Sequence, residues 1–201
     1  MTERDARILL LEAATEYVPD AVFPATVDLL TDPSFTTWPA SLDKHHAYRG
    51  GLLVHTAEVL DHALWSSATT KADRSVLATA AIWHDSAKMR DYRLLKPGEV
   101  QEPDKKFLNT DLGVFVDADF KKLIYHVAGS YANWTATALA AGLAGDDPFK
   151  DAVSHCMLAH HGSRGWNSPV EPQTVEALLL SQADLLSALY GAARYSPHEV
   201  I

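Results

Sequence analysis

Cysteine is nearly missing from this chain: Cys156 is the only one in 201 residues. That excludes an internal disulfide and a zinc site built on thiolates. Cys156 lies in the apolar run Cys156-Met157-Leu158, which suits a buried structural thiol better than a nucleophile. Long apolar stretches are missing too. No segment approaches the roughly 20 apolar residues that a membrane helix needs. The start, Met1-Thr2-Glu3-Arg4-Asp5, is charged and lacks the apolar stretch of a signal peptide. A cytoplasmic protein with no membrane partner is therefore expected. Positive charge is in deficit, with 17 basic against 26 acidic side chains and a net charge of −9. Proteins that grip a long nucleic-acid backbone draw on basic side chains to neutralise phosphate. No stable complex with long nucleic acid is expected here. A nucleotide or short oligonucleotide remains compatible, because a bound metal ion supplies local positive charge. The oligomeric state stays open, and a homo-oligomer is compatible with the sequence.

What the chain does have is helical periodicity. Its length and a hydrophobic fraction of 47% suit one domain, 1–201, with a sizeable core. In residues 4–17 the apolar Leu10, Ala13, Ala14 and Tyr17 recur at helical spacing, and Thr2-x-x-Asp5 supplies a start signal. Residues 18–50 carry Pro19, Pro24, Pro33 and Pro39 and should form short helical turns and loop. Helices are expected at 51–68, 73–89, about 118–143, 148–161 and 173–194. Between them, 90–116 reads as a long irregular insertion broken by Pro97-Gly98, Pro103 and Asn109, with Leu112–Val116 as its one short strand. The expected fold class is all-α. The core spans about 45–194, and 1–44 form an N-terminal helical extension.

Ten histidines are present, and their placement is informative. His84-Asp85 sits in Ala80-Ala81-Ile82-Trp83-His84-Asp85-Ser86-Ala87-Lys88. Imidazole and carboxylate together suit Mn, Fe, Zn, Co or Ni rather than Ca. Lys88 follows one helical turn later, placed to hold phosphate or offset developing charge. His55 lies near the start of a helix and shares a face with Leu52, Val59 and Ala63. Asp184 interrupts the apolar run Leu178–Leu189, where burial of a carboxylate is costly unless it is paired or bound to metal. His160 continues the stripe Val153, Cys156, Met157 and should point inward, with His161 turned about 100° from it. His126 shares a face with Leu123, Ser130 and Asn133. His62, His155 and His198 fit no such pattern.

The series His55, His84-Asp85, Asp184 resembles the HD superfamily of metal-dependent phosphohydrolases. The stretch His45-His46-Ala47-Tyr48-Arg49-Gly50-Gly51-Leu52-Leu53-Val54-His55-Thr56 is similar to the YhaM-type 3′–5′ exoribonuclease branch. So is Ala159-His160-His161-Gly162, followed by Ser168-Pro169-Val170-Glu171-Pro172 and Glu176-Ala177. The resemblance implies a helical HD bundle in which His55, His84, Asp85 and Asp184 hold the core metal. His126 and His160, with His161 as a further candidate, would complete a second site. One or two divalent transition-metal ions are implied, Mn first, with Fe, Co, Ni or Zn as alternatives. The implied chemistry is phosphoester hydrolysis of nucleotides or short oligonucleotides, including 3′–5′ exonuclease action. In it Asp85 acts as ligand and bridge, and Lys88 as charge stabiliser. Arg49, Arg164 and Trp166 are candidate substrate contacts, through phosphate for the arginines and base stacking for the indole. Rival readings are a nucleotide or dNTP phosphohydrolase and a di-iron HD-type oxygenase. The branch also carries an OB-type binding domain, for which residues 1–44 leave too little chain.

Overall fold

The computed structural model describes the backbone of residues 1–195 and the side chains of residues 1–193; His198 lies outside the described residues. The first helix, α1 (Glu3–Tyr17), begins at the Thr2 signal: Thr2 Oγ1 accepts from the Asp5 amide at 3.2 Å and donates to its carboxylate at 2.7 Å. Its buried stripe is Ala6, Leu10, Ala13 and Ala14. The proline-rich segment is more helical than the prolines suggest. Pro24 and Pro33 stand in the first turns of α2 (Phe23–Thr31) and α3 (Pro33–Thr37), where no backbone N–H is required.

The central element is α4 (Gly51–Ser67), in which residues 51–60 are buried without a break. It packs against α1, α5 (Arg74–Trp83) and α10 (Val175–Tyr195). The Gly50-Gly51 pair serves the start of this helix. Gly50 has a left-handed φ of 78°, and a Cβ on Gly51 would stand 2.0 Å from the carbonyl oxygen of His46. On the other side of α5 lie α8 (His126–Ala140) and α9 (Pro148–Ala159), the latter capped by Asp147 with Pro148 in its first turn. One hydrophobic core runs through all of these helices. Trp134 sits within it with no exposed surface, its indole N–H donating to the Lys150 carbonyl at 3.1 Å. Trp134→Ala should lower the unfolding free energy by about 3–5 kcal/mol, read as an earlier midpoint in a urea titration.

Three departures from the expected layout bear on the site. The expected helix 73–89 breaks after Trp83. Tight i→i+3 bonds (Ser86 to Trp83, Lys88 to Asp85) turn the chain through 84–87 before the short α6 (Lys88–Asp91). The Ala87 amide leaves the helical ladder and meets Ser130 Oγ at 3.0 Å. The expected helix 118–143 likewise divides into α7 (Asp119–Leu123) and α8, because Tyr125 adopts a positive φ of 71°. Finally, the expected irregular insertion is ordered. It forms a three-stranded antiparallel sheet of β1 (Tyr92–Leu94), β2 (Phe107–Thr110) and β3 (Gly113–Asp117), in the order β1-β3-β2. Phe115 is its fully buried anchor, packed with Tyr92 and Leu42 and edge-on to Trp38 at 5.1 Å. The protein is nonetheless mainly helical. Among the described residues no helix is long and apolar enough to cross a membrane.

Candidate metal centre

Seven side chains from five places in the sequence meet at one point. His55 arrives from α4, His84 and Asp85 from the turn after α5, and Asp184 from α10. His126 opens α8, and His160-His161 close α9. Asp85 is the hub. Its Oδ2 lies 3.3 Å from His55 Nε2 and 3.2 Å from His84 Nε2, while Oδ1 lies 3.5 Å from His126 Nε2 and 3.7 Å from His160 Nε2. Asp184 Oδ1 is 3.1 Å from His55 Nε2 and 4.0 Å from His84 Nε2. Each carboxylate oxygen of Asp85 thus faces a different pair of histidines.

Burial decides what this geometry means. His55, His84 and His160 are 0% exposed and Asp85 is 1% exposed. Among the described residues, no hydrogen bond of good geometry reaches Nε2 of these three histidines or either oxygen of Asp85. Lys88 Nζ does stand 2.6 Å from Asp85 Oδ2. That contact is a charge pair. So many unpartnered polar atoms in one dry place are costly unless a cation meets them. Of three groups of ligand atoms within mutual reach, His45, His46 and His55 form one, while two contain or flank Asp85: His55, His84 and Asp85, and His126, His160 and His161. The donor set of imidazole nitrogen and carboxylate oxygen fits a divalent transition metal at both.

The far side of each ring supports that fit. His84 Nδ1 donates to the Ala81 carbonyl at 2.7 Å, His160 Nδ1 to the Met157 carbonyl at 2.6 Å, and His161 Nδ1 to the Trp166 carbonyl at 2.8 Å. A carbonyl only accepts, so these rings carry their proton on Nδ1 when neutral and present a lone pair on Nε2. His126 Nδ1 meets the Asp91 carboxylate at 2.7 Å, which serves the same end. Burial holds the His160 imidazole down at about 3, and holds His126 well below its usual range, so both rings stay neutral. Burial alone would raise the Asp85 carboxylate. Lys88 and His84 outweigh it and hold the group well below the usual range. Burial would raise Asp184 too, but its close contact with His55 outweighs that and lowers the group. Lys88 stays charged because Asp85 and Asp184 overcome its own desolvation.

Above the cluster opens a cavity of about 990 Å³, lined by His45, Lys88, Tyr125, His126, His161, Trp166 and Asp184. Lys44, Lys106 and Lys121 add positive charge to its wall, in a protein whose net charge is negative. Lys106 comes from the segment leading into β2 and pairs with Asp43 at 2.7 Å. The structure does not bring Arg49 or Arg164 to this cavity. Arg49 stands 3.8 Å from Asp111 on the β2–β3 turn, and Arg164 is exposed on the short 3-10 turn Arg164–Trp166. Trp166 does line it, with 61% of its surface exposed. Cys156 is buried, and that burial pushes its thiol up to about 12. Asp91, unassigned from the sequence, emerges as the partner of His126. Its signal was its place three residues after Lys88, on the side of α6 that Lys88 shares. Asp91→Asn should weaken metal binding at the His126 position by about 10–100-fold, read by calorimetric titration with Mn²⁺.

Fold and site define a class: helical proteins that bury a His–Asp cluster suited to divalent metal. Within it, the chain belongs to the HD domain family, whose model matches residues 52–189. HD domains bind divalent metals, and the clusters described above are compatible with that. Among curated relatives, the chain is 28% identical over 155 residues to the 3′-5′ exoribonuclease YhaM of Listeria welshimeri, covering 77% of this chain and 44% of that one. It is 27% identical over 172 residues to the dihydroneopterin 2′,3′-cyclic phosphate phosphodiesterase of Methanocaldococcus jannaschii, covering 83% and 57%. To the ribonuclease Y of Thermoanaerobacter pseudethanolicus it is 29% identical over 183 residues, covering 91% and 26%. The chain thus spans about half the length, or less, of these relatives. No solved structure gives a significant match.

Proposed function

We propose that this protein is a metal-dependent phosphohydrolase acting on phosphoester bonds of nucleotides or short oligonucleotides. The observation that carries the reading is the convergence of unpartnered, buried Nε2 and carboxylate atoms on both sides of Asp85. His55, His84, Asp85 and Asp184 would hold one divalent ion, and His126, His160 and His161 a second, with Asp85 between them. Mn²⁺ is the ion of first choice. A bound ion of this kind lowers the pKa of water and polarises a phosphoryl oxygen.

The chain's own residues supply the remainder. Asp91 and the carbonyls of Ala81, Met157 and Trp166 fix the imidazole rings in the ligating tautomer. Lys88, buried and charged, stands where it can offset charge on phosphoryl oxygens. Trp166 and Tyr125 offer aromatic surface for a base, and Lys44 and Lys121 offer charge for flanking phosphates. The relatives named as ribonucleases and as a cyclic phosphate phosphodiesterase support phosphodiester chemistry.

The test is a panel assay with Mn²⁺: a labelled short RNA, a short DNA, a 2′,3′-cyclic nucleotide and nucleoside mono- and triphosphates. Mononucleotides released from the 3′ end favour the exonuclease form of the proposal. Phosphate or triphosphate released from nucleotides favours the nucleotidase form. No release from any of them contradicts the proposal.

A further inference from the structure

His45 and His46 open the histidine-rich stretch before α4, and neither belongs to the ligand set above. Both are held firmly. His46 is 1% exposed and adopts a left-handed φ of 50°. It fills a space kept by Gly191 on α10, where a Cβ would come within 2.6 Å of the His46 ring and 3.0 Å of His45 Cβ. The His45 ring stands 4.9 Å from that of His55, centroid to centroid, and lines the cavity.

A chain of hydrogen bonds sets which nitrogen of each ring carries a proton. It starts at Glu58, whose Oε2 lies 3.1 Å from Ser187 Oγ and 3.1 Å from His46 Nε2. A carboxylate only accepts. Ser187 therefore spends its single proton on Glu58 and can only accept from His55 Nδ1, 3.1 Å away. When neutral, as it must be to hold a cation, His55 thereby takes the same tautomer as the other ring ligands, with its Nε2 lone pair free for the ion. On the other branch His46 donates from Nε2, so its Nδ1 is an acceptor. His45 Nδ1, 3.2 Å from it, must donate. The Nε2 of His45 is then left with a lone pair, and no hydrogen bond from a described residue reaches it.

We propose that His45 Nε2 is a specificity-determining hydrogen-bond acceptor, fixed by Glu58 through His46, for the sugar hydroxyl beside the reacting phosphate. The inference rests on the nucleotide reading above. Its placement follows from the shared cavity: His45 lines it beside His55, one of the proposed ion's ligands, so a phosphate met by that ion would bring its own substituent next to His45. In a nucleotide that substituent is the sugar, and the donor a sugar offers is a hydroxyl. The site should thus prefer ribose to deoxyribose at that position. A buried acceptor left unpaired by the deoxy analogue loses binding.

The test uses the full chain loaded with Mn²⁺ and compares binding of adenosine 3′-monophosphate with its 2′-deoxy analogue by calorimetry. The ribonucleotide should bind about tenfold more tightly. His45→Ala should erase that preference without changing Mn²⁺ stoichiometry. His45→Gln, whose amide oxygen reaches the place of Nε2, should keep it. Nitrogen-15 spectra of the metal-free protein should show the His45 proton on Nδ1, and Glu58→Gln should disturb that pattern. Equal affinities in the unsubstituted protein, or a preference that survives His45→Ala, would overturn the proposal. Binding is read without turnover, so a protein that binds selectively but hydrolyses nothing would sink the phosphohydrolase reading alone.

Discussion

Asp85→Ala is expected to abolish hydrolysis, by roughly 10⁴-fold or more, and to strip the metal from the protein. The reason is its position between the two histidine groups: each oxygen faces a different pair of Nε2 atoms, and its burial keeps water from substituting for it. Loss of this residue should therefore affect both ion positions together. The same change leaves Lys88 buried without its nearest counter-charge, at a cost in stability. Asp85→Asn combined with Lys88→Met, which keeps the shape and removes both charges, separates the two effects. The double variant should melt near the unsubstituted protein yet fail to bind Mn²⁺ in a calorimetric titration. Retained activity with retained metal in either variant would remove Asp85 from the proposed ligand set.

Lys88→Ala should show the opposite division. Its ammonium lies 2.6 Å from Asp85 Oδ2 and repels a nearby cation, so removing it should leave metal content intact. Turnover should nevertheless fall by about 10²–10³-fold, in the range seen when a positioned charge stabiliser is lost. Elemental analysis and kcat, measured on the same preparation, separate the two roles. A variant that loses metal in proportion to activity would mark Lys88 as structural support for Asp85.

Much of this was readable from the chain, and the unread parts share a physical cause. Long amphipathic helices announce themselves: α1, α4, α9 and α10 lie within a few residues of where apolar periodicity puts them. The His55, His84-Asp85 and Asp184 set, and both of the paired His160 and His161, come together as the resemblance implies. What the sequence hid are features set by tertiary contacts. The break after Trp83 depends on Ser130, 43 residues away, accepting the Ala87 amide. No glycine or proline marks it. The turn at Tyr125 puts a positive φ on a tyrosine, which propensity does not foresee. Of the sheet only β3 is foreshadowed, by Leu112–Val116; β1 and β2 are short and half-exposed, so the period-2 pattern barely registers in them. Glu58 and Ser187 meet across 129 positions of sequence, where no local spacing could point to them, and Asp91 reaches His126 across 35 with only its place one turn after Lys88 as a signal. Arg49 lies in the most informative stretch of the chain, yet the structure pairs it with an aspartate on a turn contributed by the insertion.

The central claim is that the cluster around Asp85 holds divalent metal and uses it to hydrolyse phosphoesters. The most direct test is chelation and reconstitution, followed on one sample by metal analysis, phosphoester turnover and oxygen uptake. Chelated protein should be inactive, and added Mn²⁺ should restore both bound ion and turnover, with no oxygen consumed. Full turnover in excess chelator would contradict the account. So would a reconstituted protein that consumes oxygen with substrate and cleaves no phosphoester, which is the behaviour of a di-iron oxygenase.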